Sequence, residues 1–481
     1  VDRFNDECAV FGIYGVSDAA AHVVLGLHAL QHRGQEASGI VASDGEQFFT
    51  HRALGHVADN FGEPGIVEKL RGHFAIGHNR YSTSGESLLR NVQPIFAELS
   101  FGGVAIAHNG NLTNAQLLRK ELVSKGCIFQ STMDTEVIIH LIALSRGKTL
   151  VERLTESLKK LEGAYSLLVM TEKEIIAARD PYGVRPLSLG KLGDSSYVIA
   201  SETCGFDIIG AEYVREVQPG EVVVINADGF SSVFMDEAKK PKRFCIFEYV
   251  YFSRPDSIVE GLSVYESRKQ IGCELAKESP VIADIVVPVP DSGVPAALGF
   301  AAEAKIPFEL GIIRNHYVGR TFIEPTDNIR HLGVKLKHNA NTASIAGKRV
   351  VLVDDSIVRG TTSKKIVNMV REAGAKEVHM RIASPPTTDS CFYGVDTPEK
   401  DKLLAANYNV EEMRKLIGVD SLAFISIDGL YRAMGESARN NKSPQYCDAC
   451  FTGDYPIPLT DFADGKKSGK KSIMRQAMEK A

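Results

Sequence analysis

The spacing of apolar and polar positions changes character near residue 240. Before it, short apolar runs separated by glycine turns predict strands at 8–15, 74–77, 104–108, 165–170, 175–178, 197–201 and 222–225. Helical spacing follows Ser17, a candidate N-cap, with Val23, Val24, Leu27 and Leu30 on one face. It returns near 134–145 and 150–161. Sheets with helices packed on them, an α+β layered domain, are expected up to about residue 235. The polar run Asp236-Glu237-Ala238-Lys239-Lys240-Pro241-Lys242 reads as a linker. Beyond it, apolar strand candidates at 284–288, 308–312, 349–353 and 378–383 alternate with helical patterns. That alternation predicts an α/β domain whose parallel sheet is joined by right-handed crossovers.

A length of 481 residues is ample for two or three domains. With 44% hydrophobic and 24% charged residues, the chain is not a disordered one. Lys plus Arg number 55 against 60 Asp plus Glu, a net charge of -5 that argues against a dedicated nucleic-acid binder. No apolar stretch approaches the ~18 residues of a membrane span, and the charged start Val1-Asp2-Arg3-Phe4-Asn5-Asp6-Glu7 lacks an apolar signal core. A reducing cytoplasm is therefore expected, with the eight cysteines serving as thiols, a nucleophile or metal ligands. The lysine-rich run 465–471 reads as a solvated tail.

The most specific segment is Val350-Val351-Leu352-Val353-Asp354-Asp355-Ser356-Ile357-Val358-Arg359-Gly360-Thr361-Thr362-Ser363. A buried strand should end at the acidic pair and a helix begin near Thr361. This is the strand-end position where open α/β sheets bind ligands. The turn and helix N-terminus suit a phosphate. Two carboxylates beside it would repel that anion unless they faced ribose hydroxyls or Mg²⁺ bridging to a diphosphate. The segment resembles the phosphoribosylpyrophosphate (PRPP) signature of type I phosphoribosyltransferases. Upstream, Arg314-Asn315-His316-Tyr317-Val318-Gly319-Arg320-Thr321-Phe322-Ile323-Glu324-Pro325 fits the same ligand, with Tyr317–Pro325 as a mobile lid. Together, Arg314, Arg320, Arg330, Lys335 and Lys337 concentrate the positive charge that a diphosphate leaving group needs. Pro290-Asp291-Ser292-Gly293 follows another strand and offers Ser292 to metal-bound diphosphate.

A second chemistry occupies the first half, in Glu7-Cys8-Ala9-Val10-Phe11-Gly12, His32-Arg33-Gly34-Gln35-Glu36, Gly77-His78-Asn79-Arg80-Tyr81-Ser82-Thr83, His108-Asn109-Gly110-Asn111-Leu112 and Asp134-Thr135-Glu136. With the PRPP segment these resemble the amidophosphoribosyltransferase family (glutamine PRPP amidotransferases), from Cys8 to about Gly453. The resemblance implies an αββα N-terminal-nucleophile glutaminase domain, 8–235, a linker, 236–245, and a type I phosphoribosyltransferase domain, 246–440. A C-terminal segment, 441–481, would follow. It makes Cys8 the nucleophile, Asn109 and Gly110 the oxyanion hole, Arg80 the holder of the glutamine carboxylate and Asp134 that of its ammonium. It also places Tyr317, Arg320, Arg330, Lys337, Asp354, Asp355, Ser356, Gly360, Thr361 and Thr362 on PRPP, with one Mg²⁺ per subunit near Ser292, Asp354 and Asp355. Because the nucleophile's own α-amine is the general base in this class, Val1–Glu7 is expected to be a propeptide cleaved after Glu7.

Cys447-Asp448-Ala449-Cys450 is a CxxC pair whose spacing alone leaves zinc, an iron–sulfur cluster and a redox pair open. The resemblance implies that Cys245, Cys391, Cys447 and Cys450 hold one [4Fe–4S] cluster per subunit, as in the family's cluster-containing type. Cys127, Cys204 and Cys273 read as buried thiols. The implied reaction takes glutamine, PRPP and water to 5-phosphoribosylamine, glutamate and diphosphate. Purine nucleotides are the implied feedback inhibitors, and a homotetramer the implied assembly. Two rivals are a glutamine amidotransferase acting on a sugar phosphate and a catalytically silent PRPP-sensing regulator that binds nucleic acid. The PRPP signature opposes the first. Overall acidity and the complete glutaminase set oppose the second.

Overall fold

Short strands with apolar side chains on one face need a second layer against that face, and here two antiparallel sheets supply it to each other. The structure, a computed structural model, describes residues 8–81, 88–235, 240–315 and 338–462. In the first sheet the order is Glu212–Glu216, Ser188–Leu192, Ser196–Ala200, Ala9–Tyr14, Phe74–Arg80, Ala37–Ser43, Phe48–Leu54. The second runs Gly229–Phe234, Glu221–Asn226, Ile175–Arg179, Gly163–Met170, Gly102–Leu112, Ile95–Leu99. Val10, Val41 and Ile76 of one sheet meet Ala105, Leu168, Ala177 and Val223 of the other in a buried core. Helix Ala19–Ala29 covers the outer face of the first sheet, and helices Thr135–Leu144 and Leu150–Leu158 that of the second. The layering is thus αββα, as expected.

Beyond residue 245 four parallel strands lie in chain order: Ile285–Pro288, Arg349–Asp354, Glu377–Ile382 and Ser421–Phe424. Helices Val264–Glu278 and Val294–Ala304 pack on one face, and Thr361–Glu372 and Val410–Ile417 on the other. The fold is therefore a layered α+β unit followed by a parallel α/β unit.

Two local expectations need correction. Helix Ala19–Ala29 starts after Asp18, not Ser17, and no side chain caps it. The run 308–312 contributes one bridge, Phe308 to Val286, because the chain turns away at Gly311 into the short antiparallel pair Ile312–Arg314 and His338–Ala340. The end of the linker is ordered: Phe244–Cys245 pairs in parallel with Tyr446–Cys447, so the C-terminal segment returns to the junction. It also reaches the first unit. Asp461 accepts from the Gln116 and Leu117 amides at 2.6 and 3.1 Å, capping helix Ala115–Ser124, whose own Asn114 makes no side-chain cap.

Candidate functional site

Cys8 immediately precedes the strand Ala9–Tyr14 at the centre of the first sheet, and only 7% of it is exposed. Its Sγ donates to the Tyr81 carbonyl at 3.3 Å. Burial pushes the thiol up, and the nearby Arg80 guanidinium only partly offsets that, while the Asp134 charge adds to the rise. Such a thiol needs a base to become a nucleophile. Arg80 ends the neighbouring strand and is held by the Asn91 carbonyl and the Met133 sulfur. Asp134 accepts from the Leu112 amide at 2.9 Å and lies 3.7 Å from the His108 ring. Its burial opposes ionisation, but His108 and the backbone donors outweigh this and hold the carboxyl below its usual range.

Asn109 and Gly110 lie on strand Gly102–Leu112, which runs beyond the apolar stretch readable from sequence. Asn109 is fully buried, and neither polar atom of its amide has a hydrogen-bond partner among the described residues. An unsatisfied buried amide costs ~1–3 kcal/mol, a cost that a ligand oxygen would remove. Gly110 has φ +143°, and a Cβ there would come within 2.0 Å of the Ala164 carbonyl, so glycine is required.

Sequence reasoning quoted Arg33 within a motif but gave it no role. It is fully buried, its Nε donates to the Cys8 carbonyl at 3.3 Å, and Glu202 and Glu248 flank its guanidinium. Glu202 and Glu248 went unnoticed altogether. They lie 169 and 215 residues from Arg33, and no local pattern marks such partners.

In the second unit, the strand Arg349–Asp354 ends at the acidic pair, as expected. Asp354 and Asp355 are each 3% exposed. Asp355 accepts from Ser292 Oγ at 2.5 Å and from Ser356 Oγ at 2.6 Å, so the two loops meet at one carboxylate. Gly360 has φ +79° and precedes helix Thr361–Glu372, which leaves the first-turn amides at Thr361 and Thr362 facing the turn. Arg314 pairs with Asp291. Tyr317, Arg320, Arg330, Lys335 and Lys337 lie outside the described residues, as do the expected lid and Val1–Glu7.

Cys245, Cys391, Cys447 and Cys450, from three distant parts of the chain, line one cavity. Its other walls are Phe247, Phe252, Tyr393, Val395, Ala449 and Tyr455, with Arg185 and Thr397 as polar contributors. Burial pushes the Cys245, Cys447 and Cys450 thiols up. Among the described residues no group of three or more His, Cys, Asp or Glu side chains is placed to hold a metal ion.

Residues 78–207 match the glutamine amidotransferase domain family and 274–384 the phosphoribosyl transferase domain family. The chain is 58% identical over 478 residues to an amidophosphoribosyltransferase of Rhizobium etli, covering 98% of this chain and 96% of that one. Identity to the Bacillus subtilis amidophosphoribosyltransferase is 50% over 460 residues, 95% of this chain and 96% of that one. The chain belongs to the amidophosphoribosyltransferase family. A solved B. subtilis glutamine PRPP amidotransferase, complexed with ADP and GMP, superposes with a TM-score of 0.89 at 49% identity, covering 94% of this chain and 98% of that one. A structure described as the allosteric regulatory enzyme of purine biosynthesis gives 0.90 at 48% identity, covering 96% of this chain and all of that one. An amidophosphoribosyltransferase releases ammonia from glutamine and transfers it to PRPP, forming 5-phosphoribosylamine and diphosphate. This is the first committed step of purine synthesis, and the enzyme here carries both required units in that order.

Proposed function

We propose that Cys8 attacks the glutamine carboxamide, with Arg80 and Asp134 binding the substrate's carboxylate and ammonium. Asn109 and the Gly110 amide then receive the oxyanion. The observation that carries this is the buried Asn109 amide without a partner, on the strand whose end also fixes Asp134. The raised thiol requires a local base, and the α-amine of Cys8 is suited to that task once Val1–Glu7 has been removed. Ammonia then attacks C1 of PRPP as diphosphate leaves. Asp354 and Asp355 orient the ribose, and Ser356, Gly360, Thr361 and Thr362 receive the 5′-phosphate. Tyr317, Arg320, Arg330 and Lys337 complete the PRPP set. Mg²⁺, when bound near Ser292, Asp354 and Asp355, neutralises diphosphate charge. A site with few protein carboxylates fits an ion held mainly by substrate oxygens and water.

The cysteine cavity suits a thiolate-held group: four thiols line it, its remaining walls are largely apolar, and Arg185 adds a compensating charge. A [4Fe–4S] cluster held by Cys245, Cys391, Cys447 and Cys450 is the reading we adopt, with a structural role at the junction of both units. Protein purified without oxygen should then contain about four iron and four sulfide per chain; stoichiometric zinc without sulfide overturns this reading. Purine nucleotides as inhibitors, a homotetramer and a cytoplasmic location complete the proposal. No helix among the described residues is long and apolar enough to cross a membrane.

Cys8→Ala tests the division of labour. Glutamine-dependent synthesis should vanish while synthesis from added ammonia persists. Loss of both in a folded variant contradicts the assignment.

A further inference from the structure

Two independent chains of contact leave the cysteine cavity and end at the glutaminase centre. In the first, Arg185 on the cavity wall reaches Glu248 Oε1 at 3.4 Å. Glu248, three residues after Cys245, grips Arg33 through both carboxylate oxygens, at 2.8 and 3.0 Å. Arg33 in turn donates to the Cys8 carbonyl at 3.3 Å. Ser253 Oγ, at 2.6 Å, fixes the second Glu248 oxygen. Arg33, Glu248 and Arg185 side chains have no solvent exposure, so their mutual geometry is unscreened and each depends on the others being present. In the second chain, Asn111 Nδ2 donates to the Phe392 carbonyl at 2.8 Å, one residue after Cys391. Gly394 lies so close that a Cβ on it would stand 3.1 Å from the Gly110 Cα. The nucleophile's backbone and the oxyanion donors are therefore both braced from the cavity shell.

We propose that Glu248 and Asn111 are positioning residues for glutamine hydrolysis, transmitting the geometry of the cysteine-lined cavity to the Cys8 backbone and the Asn109–Gly110 donors. The proposal rests on the site assignment above. Oxyanion stabilisation and thiol attack tolerate only fractions of an ångström, so loosening either brace lowers turnover and leaves glutamine's charged ends bound. No residue of the Asp354–Thr362 turn, where PRPP chemistry is placed, takes part directly in these hydrogen bonds.

The test uses full-length Glu248→Gln, which keeps shape and removes charge, and Asn111→Ala, which removes one hydrogen bond. Each is measured for glutamine and ammonia as nitrogen sources, for iron and sulfide content, and for the iodoacetamide labelling rate of Cys8. We expect kcat with glutamine to fall about 10- to 100-fold, with KM for glutamine within about threefold and ammonia-dependent turnover within about twofold. The Cys8 labelling rate should change in Glu248→Gln, while iron and sulfide stay at the parent level. Retention of glutamine kcat within about twofold in both variants overturns the proposal. So does a parallel loss of both activities, even confined to Asn111→Ala, since one hydrogen bond does not decide folding. Cys8→Ala separates the two ideas: if it retains glutamine use, the site assignment itself has failed.

Discussion

His78 shows how one side chain on the central strand pair ties stability to pH. Its Nε2 faces the His108 carbonyl at 3.0 Å, so that nitrogen carries the proton and the buried ring is neutral. Burial, then the Arg80 charge, push its pKa down to about 3. An unfolded chain takes up this proton near pH 6.5, so below that pH the unfolded state binds more protons and stability is lost as pH falls toward 3. The slope for one such group is about 1.4 kcal/mol per pH unit. His78→Gln keeps a donor for the carbonyl and cannot titrate. Urea unfolding at pH 7 and pH 5 should show the parent losing about 2 kcal/mol more than the variant. An equal loss in both would show that His78 does not carry this dependence. The sequence displays His78 inside a recognisable motif, but burial creates its titration behaviour, and burial is a property of the assembled sheets.

Among the elements, those with a clean apolar period were legible, such as Gly163–Met170 and Arg349–Asp354. Those that carry chemistry were read too short. Strand Gly102–Leu112 continues through His108, Asn109, Gly110 and Asn111, polar or flexible residues that break the apolar pattern, Asn111 because it bonds the neighbouring unit at Phe392. Strand Phe48–Leu54 has no fully buried residue and so left no apolar signature. Helix Ala115–Ser124 is a different case, since its cap is supplied from far along the chain by Asp461. Removing that carboxylate in Asp461→Ala should cost about 1 kcal/mol and raise hydrogen exchange at the Gln116 and Leu117 amides. Unchanged protection there would mean that water replaces the cap at no cost.

At the scale of the molecule, two kinds of chemistry share one junction, stitched by Arg33–Glu248, Arg179–Glu260 and Asn111–Phe392. The division of labour predicts opposite failures at its two ends. Asp355→Asn weakens the carboxylate that joins the Ser292 and Ser356 loops, and should depress glutamine- and ammonia-dependent synthesis alike, by about 10-fold or more. Selective loss of only the glutamine-dependent rate would assign Asp355 to the wrong reaction. Both units were legible from motifs. The junction was not, because its partners lie from 81 to 281 residues apart and none belongs to a repeated spacing.

The Asp461 clasp also sets a timetable for birth. A ribosome has made the whole first unit long before it reaches the residue that closes helix Ala115–Ser124, 344 positions downstream of Leu117. At roughly 5–20 residues per second, that helix waits some 17–70 s with its leading amides facing water. A nascent glutaminase unit emerging from the tunnel thus lacks this cap until Asp461 is made, by which time the unit that consumes its ammonia has also been synthesised.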